Sequence, residues 1–245
     1  MQDFLSFEGK TVLVIGGTSG IGNGIAQAFR AAGALVHAWG TRASAADYKV
    51  EEGSDLEGLG FASVDVASAA AIQAVKPAFE KLDVLVLAQG AVQYRRAEFE
   101  DATFRHIVDV NLNSLMTCAS LFHSMLKASG GSVIMISSIS AYRSAIGTPA
   151  YAASKAAAVS LTRSLGAAWA TDGIRVNGIA PGLVATKMTK VTTDHPERLA
   201  STLARIPAGR IGTPQDMAHV ALFLASPLAQ YVVGHTIPVD GGLSA

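Results

Sequence analysis

Cysteine is almost absent. Cys118 is the only one in 245 residues, which rules out an intrachain disulfide and points to a reducing, cytoplasmic setting. It falls in a helical pattern with Met116, Leu121 and Phe122 and reads as a small core residue, not a nucleophile. Charge of one sign is also lacking, because 19 Lys and Arg balance 19 Asp and Glu. Nucleic-acid binders set a basic excess against phosphate, so no nucleic-acid partner is expected. No stretch approaches the ~18 uninterrupted apolar residues that cross a bilayer, so no membrane span is expected. The opening MQDFLSFEGK carries acids and no apolar run of a leader peptide. No repeat, low-complexity tract or linker divides the chain. Half of it is hydrophobic, enough for a sizeable core, and one domain over 1–245 is expected.

Apolar runs alternate with helical patterns. KTVLVIGG (10–17), ALVHAW (34–39), GFASV (60–64), DVLVLA (83–88), SVIMIS (132–137), IRVNGIA (174–180) and HTIPV (235–239) read as strands. Helices are expected over 21–33, 68–81, 101–128, 149–171, one or two within 187–205, and 214–225. This alternation predicts an α/β fold with a doubly wound parallel sheet and helices on both faces. In such sheets ligands bind beyond the carboxyl ends of the strands. The unusual residues gather there: glycines after strand one, Gly40-Thr41-Arg42 after strand two, Asp65 after strand three, Gln89-Gly90 after strand four, Ser138 after strand five and Pro181-Gly182 after strand six.

GGTSGIG (16–22) joins a strand to a helix. Its glycines allow a tight turn and let backbone N–H groups approach a pyrophosphate at the helix N-terminus. A carboxylate after strand two would bind the ribose hydroxyls and repel a 2′-phosphate. Gly40 stands there instead, with Arg42 nearby to pair with a phosphate. This favours NADP(H) and leaves NAD(H) open. Asp65 is a candidate for the adenine amino group and also for capping the next helix.

Tyr151 and Lys155 are four apart in a helical stretch and share one face. A free tyrosine has a pKa of about 10 and is a poor base at neutral pH. A nearby ammonium favours the phenolate, so Tyr151 would exchange a proton with an alcohol or ketone. Ser138 lies upstream and would polarise the reacting oxygen. No metal is called for.

GGTSGIG, ISSISA (136–141), YAASK (151–155) and IRVNGIAPG (174–182), in that order, resemble the short-chain dehydrogenase/reductase family from Gly9 to Gly242. The resemblance implies a single-domain, seven-stranded Rossmann fold. It also implies a nicotinamide cofactor and a catalytic set of Ser138, Tyr151 and Lys155 with Asn111, which would help hold a proton-relay water beside the lysine. The cofactor set implied is Gly16, Thr18, Ser19, Gly20, Ile21, Gly22, Gly40, Thr41, Arg42, Asp65, Val66, Gln89, Gly90, Tyr151, Lys155, Pro181, Gly182, Val184 and Thr186. Two departures stand out. Ile15 replaces the usual threonine, which predicts a looser link between strands one and four. Leu87-Ala88-Gln89-Gly90 replaces Asn-Asn-Ala-Gly, which removes the asparagine side chains.

The resemblance also implies a lid over about 183–212. Candidate substrate residues are Gln93, Ser138, Ser140, Tyr142, Arg143, Ile146, Tyr151 and Met188, a mainly apolar set that suits a small or medium ketone or secondary alcohol. Arg143 would alternatively hold a carboxylate or an acyl-carrier phosphate, as in a 3-oxoacyl-thioester reductase. A homotetramer is implied, with GHTIPVDGG (234–242) near one interface. Two competing readings remain. One is a silent dinucleotide-binding regulator, against which Ser138, Tyr151 and Lys155 argue. The other is a sugar-nucleotide epimerase or dehydratase, which carries a larger C-terminal domain.

Overall fold

Alternate residues of Thr11–Ile15 (β1) point to opposite sides of a sheet, and both sides are dry. The computed structural model describes residues 4–50 and 53–245. Met1 to Asp3, where the leader reading begins, and residues 51–52 lie outside the described residues. The other strands are β2 (Leu35–Gly40), β3 (Gly60–Ser63), β4 (Val84–Leu87), β5 (Ser132–Ile136), β6 (Arg175–Pro181) and β7 (Thr236–Val239). All pair in parallel, in the order β3-β2-β1-β4-β5-β6-β7. This is the expected seven-stranded Rossmann sheet, and its winding reverses between β1 and β4.

The helices are α1 (Gly20–Ala31), α2 (Ala69–Ala74), α3 (Asp101–Val108), α4 (Ser114–Ser129), α5 (Pro149–Trp169), α6 (Lys190–Thr193), α7 (Pro196–Leu203) and α8 (Pro214–Ala225). Leu13, Ile15, Leu85, Leu87 and Met135 pack on one side with Ile72 of α2, Cys118 and Phe122 of α4, and Leu165 of α5. Val12, Val14, Val86 and Ile134 pack on the other with Ile25 and Phe29 of α1 and Met217 and Leu224 of α8. Covering both faces is why the strands read as continuous apolar runs. Cys118 is a core residue, and burial pushes its thiol up to about 12. Arg175 opens β6 and donates to the carbonyls of Leu224, Ala225 and Ala229 at 2.7 to 3.2 Å. It thereby caps the C-terminal end of α8, where a cation suits the helix dipole. Among the described residues no helix is long and apolar enough to cross a membrane.

The structure departs from the sequence reading at Ile15 and in two helices, and it bears out the helices expected within 187–205. The looser link at Ile15 is absent. Ile15 pairs with Leu87, both are fully buried, and the Ala88 N–H donates to the Ile15 carbonyl at 2.9 Å. The helix expected over 68–81 stops at Ala74. Pro77 lacks an N–H and disfavours helical backbone in the residue before it. Phe79 then packs against His37 (4.8 Å) and Phe122 (5.9 Å). The helix expected over 101–128 is one winding broken by a π-helical turn at Asp109–Asn113, and it ends at the left-handed Gly130 (φ 60°). The lid region forms a 3₁₀ turn at Lys187–Thr189 followed by α6 and α7, and no residue of α7 is buried.

His37 Nε2 is buried on β2 without a partner, and burial lowers the histidine's pKa. The unfolded chain takes up this proton near pH 6.5, whereas the folded chain resists it. The residue's contribution to stability is therefore complete above about pH 6.5 and is lost as the pH falls below it. His37→Phe keeps a ring against Phe79 and removes the titration. Between about pH 7.5 and about pH 5 the urea midpoint of the parent should fall further than that of His37→Phe. Equal falls would discard this role.

Candidate active site

The carboxyl ends of β1 to β6 open onto one cavity of about 330 Å³. Its first wall is the turn between β1 and α1. Gly16 has φ 75°, and a Cβ there would lie 2.7 Å from the backbone nitrogen of Gln89. A Cβ on Gly22 would run into the Gly16 carbonyl. Ser19 begins α1 without a side-chain cap, so the first turn presents backbone N–H groups and the positive end of the helix dipole to the cavity. This all-backbone cradle fits the pyrophosphate of a dinucleotide. Opposite it, Thr186 Cγ2 lies 3.4 Å from where a Gly20 Cβ would sit.

The second wall is the end of β2. Gly40 is more than a missing acid. A Cβ there would run into the Tyr48 hydroxyl and lie 2.6 Å from Thr18 Cγ2. The Tyr48 hydroxyl accepts from the Arg42 N–H at 3.0 Å. The Arg42 guanidinium stacks on the Tyr48 ring at 4.8 Å and donates to the Asp47 carbonyl. Arg42 thus stands behind Thr41 and outside the cavity lining. Asp65 is also outside the lining, and its carboxylate accepts from the Ala67 N–H at 3.0 Å. The cap of α2 is Ser68, which accepts from the Ala71 N–H at 3.2 Å. Every other residue of the expected cofactor set lines the cavity.

The third wall carries the candidate chemistry. Ser138 lies two residues beyond β5 and begins the 3₁₀ turn Ile139–Tyr142, where its Oγ accepts from the Ser140 N–H at 3.1 Å. Its hydroxyl stands near enough to the Tyr151 phenol to favour the phenolate in part. Lys155 is buried, and its Nζ donates to the Ile136 carbonyl at 2.8 Å and lies 5.8 Å from the centre of the Tyr151 ring. Burial lowers Lys155 to about 8. The expected lowering of Tyr151 is reversed. Burial raises its pKa, the Ser138 hydroxyl lowers it in part, and Tyr94 and Glu98 raise it further. Desolvation of the phenolate is the largest cause.

Asn111 lies in the π-helical turn, is fully buried, and places its Oδ1 3.7 Å from where a Cβ of the cavity-lining Gly90 would sit. It accepts from the Ala91 N–H at 2.7 Å and donates to the Ala91 carbonyl at 2.9 Å and to Ser154 Oγ at 3.1 Å. Ser154 in turn donates to the Tyr151 carbonyl at 2.8 Å. The amide thereby positions both the β4 loop and the catalytic helix.

Of the expected substrate residues, Ser138, Tyr151 and Met188 line the cavity. Gln93 lines a separate hollow of about 260 Å³. Ser140, Tyr142, Arg143 and Ile146 lie outside the cavity lining, on the turn and loop after β5, where Tyr142, Arg143 and Ile146 are exposed. Additional lining comes from Trp39, Val64, Ala88, Val110, Ile136, Ser137, Lys187 and Thr189. Ser137 was within view in ISSISA, and its hydroxyl donates to the Lys155 carbonyl at 2.7 Å. Tyr94 ties the β4 loop to the lid by donating to the Met188 carbonyl at 3.1 Å.

Residues 16–244 match the family model described as enoyl-(acyl carrier protein) reductase. The 2-dehydro-3-deoxy-D-gluconate 5-dehydrogenase of Bacillus subtilis is 40% identical over 99% of this chain and 97% of its own. The chain belongs to the short-chain dehydrogenase/reductase family. It is an NAD(P)-dependent oxidoreductase acting on ketones and secondary alcohols. The 3-oxoacyl-(acyl-carrier-protein) reductase of Chlamydia pneumoniae is 38% identical over 98% of this chain and 99% of its own. A gluconate 5-dehydrogenase of Burkholderia cenocepacia, crystallised with NADP and tartrate, superposes with a TM-score of 0.89 at 29% identity, over 99% of this chain and 98% of that one.

The crowding at Gly40 makes a prediction. Gly40→Asp alone should weaken both NADH and NADPH binding, because the new side chain collides with Tyr48 and Thr18. Adding Tyr48→Phe removes the obstructing hydroxyl and should recover NADH more than NADPH. Fluorescence titration with each nucleotide checks this. Tight NADH binding by Gly40→Asp alone would show that the wall yields freely.

Proposed function

We propose that the chain interconverts a ketone and a secondary alcohol on a small polyhydroxylated acid, with NADP(H) preferred and NAD(H) tolerated. The observation that carries the chemistry is that Ser138, Tyr151 and Lys155 line one cavity, with Lys155 buried 5.8 Å from the centre of the Tyr151 ring. A bound nicotinamide dinucleotide supplies the hydride, or takes it up. Tyr151 moves the proton. In oxidation the carbinol C–H leaves as hydride while Tyr151 takes the hydroxyl proton, and in reduction Tyr151 returns a proton to the ketone oxygen. Ser138 holds that oxygen. Lys155 favours the phenolate and is placed to hold the nicotinamide ribose. Asn111 fixes the β4 loop and, through Ser154, the backbone of Tyr151.

The nucleotide preference rests on the filled space at Gly40 and on Arg42 stacked behind Thr41. The substrate class rests on the likeness to gluconate-type dehydrogenases and on Lys187, a cation in the cavity lining. The likeness to the chlamydial reductase supports a second reading, a 3-oxoacyl thioester. We place the protein in the cytoplasm as a homotetramer. The exposed Leu228, Tyr231 and Val233 ahead of β7 suit a subunit contact.

The test is NADPH oxidation with keto sugar acids beside 3-oxoacyl thioesters, repeated with NADH. Turnover of keto acids with NADPH is expected, whereas turnover of thioesters alone would move the assignment to the second reading. Tyr151→Phe should lower kcat by at least about a hundredfold and leave nucleotide binding unchanged. Retained turnover would remove Tyr151 from the proton transfer. Arg42→Ala should weaken NADPH more than NADH.

A further inference from the structure

Tyr151 is the third residue of α5, so its N–H has no partner within the helix. The usual remedy is missing, because Thr148 precedes the helix without a side-chain cap and Pro149 brings no N–H. The bond comes instead from Glu98, far away in the chain. Glu98 is fully buried. One carboxylate oxygen accepts from the Tyr151 N–H at 2.9 Å, and the other accepts from the Gln93 N–H at 2.9 Å. The two N–H groups and the positive end of α5 compensate this buried charge.

The same carboxylate therefore spans two parts of the site. One is the first turn of the helix that carries Tyr151 and Lys155. The other is the β4 loop, where Arg95 and Arg96 both hold left-handed backbone (φ 58° and 62°) and Tyr94 grips the lid at Met188. Two consecutive non-glycine residues in that region are strained, and such strain persists only where surrounding contacts hold it. Glu98, two residues beyond, supplies such a contact.

We infer that Glu98 is a positioning residue for the proposed oxidoreduction, which caps the catalytic helix from outside and sets the charge felt by the Tyr151 phenol. This rests on the reading of Tyr151 as the proton donor and acceptor. The titratable groups facing that phenol are Tyr94 and Glu98 from the β4 loop and Lys155 from its own helix. Ser138 beyond β5 carries no charge, and Lys187 of the lid lines the same cavity. The negative charge of Glu98 adds to the burial that disfavours the Tyr151 phenolate.

Two variants separate charge from reach. Glu98→Gln keeps the size but loses the charge and one of the two acceptors. Its kcat should fall on the order of tenfold to a hundredfold, as for a misplacement of about 1 Å. The pH at which the phenolate forms should move to lower values, and the nucleotide dissociation constant should hold. Glu98→Asp keeps the charge but falls short of both N–H groups, so kcat should fall with the pH limb in place. Unchanged kcat and pH limb in both folded variants would overturn the inference. So would a lower melting temperature with both readouts unmoved, since that would leave Glu98 a purely structural role. Should Glu98→Gln fail to fold, Glu98→Asp alone decides through kcat. Should no substrate turn over even in the parent, ultraviolet difference titration of the phenol against a Tyr151→Phe background reads the same shift, and no shift overturns the inference. A phenol shift without turnover would instead count against the proposed substrate class.

Discussion

The side chain of Asn111 closes a ring with the backbone of Ala91, and much of the site hangs from it. Ala91 lies just beyond β4, in a loop with no strand partner. Asn111 bonds its N–H and carbonyl as a neighbouring strand would. The π-helical turn at Asp109–Asn113 admits an extra residue and swings the amide toward β4. The remaining amide hydrogen reaches Ser154, which binds the Tyr151 carbonyl. Each bond adds only about 1 kcal/mol net, but leaving a buried amide unpaired costs about 1–3 kcal/mol. The β4 loop, the π-helical turn and α5 are therefore held as a unit.

That framework serves a site in which charge is taken out of water. Lys155 is buried against a backbone carbonyl, and Tyr151 sits where a phenolate is disfavoured. The resting form that follows is a neutral phenol, the acid needed to protonate a ketone oxygen. Forming the phenolate for the reverse reaction requires a compensating positive charge in the cavity. The chain itself provides Lys155 for this, lowered to about 8 and thus easily unsettled. Ser138, whose oxygen is already held by the Ser140 N–H, presents its hydroxyl in a fixed direction and loses little freedom when it meets a substrate.

The sheet was legible because its physics is local and repetitive. A strand buried on both faces is a run of apolar residues, and the rim beyond these runs carries the glycines, Asp65, Gln89, Ser138 and Pro181. The glycine loop, Ser138, Tyr151 and Lys155 could be read for the same reason, since each lies at a strand end or on one helix face. What escaped depends on partners distant in the chain. Glu98 meets Tyr151 across 53 residues, and no spacing announces that contact. Arg143 and Ile146 sit after β5, close in sequence to Ser138, yet the loop carries them to the surface. Proximity in sequence does not determine where a loop side chain points. Pro77 was a visible stop signal, masked by the apolar period that runs through 68–81.

The altered motif after β4 shows how a family constraint survives a change of residues. Leu87-Ala88 removes two polar side chains from the rim, yet the strand end is still braced. Gln89 Nε2 donates to Ser114 Oγ at 2.9 Å, and Ser114 donates to the Val110 carbonyl at 2.6 Å. Because Ser114 gives its hydrogen to Val110, it must accept from Gln89. The glutamine's orientation is thereby set, and its carbonyl oxygen is left buried without a partner. The longer side chain reaches across the π-helical turn to the start of α4, on the far side from Asn111. One turn is then pinned from both flanks, by Gln89 through Ser114 and by Ala91 through Asn111. Gly16 packs against the Gln89 backbone, so the nucleotide cradle rests on the same pinned segment. The backbone positions that shape the cavity are held here by side chains that differ from the usual pattern.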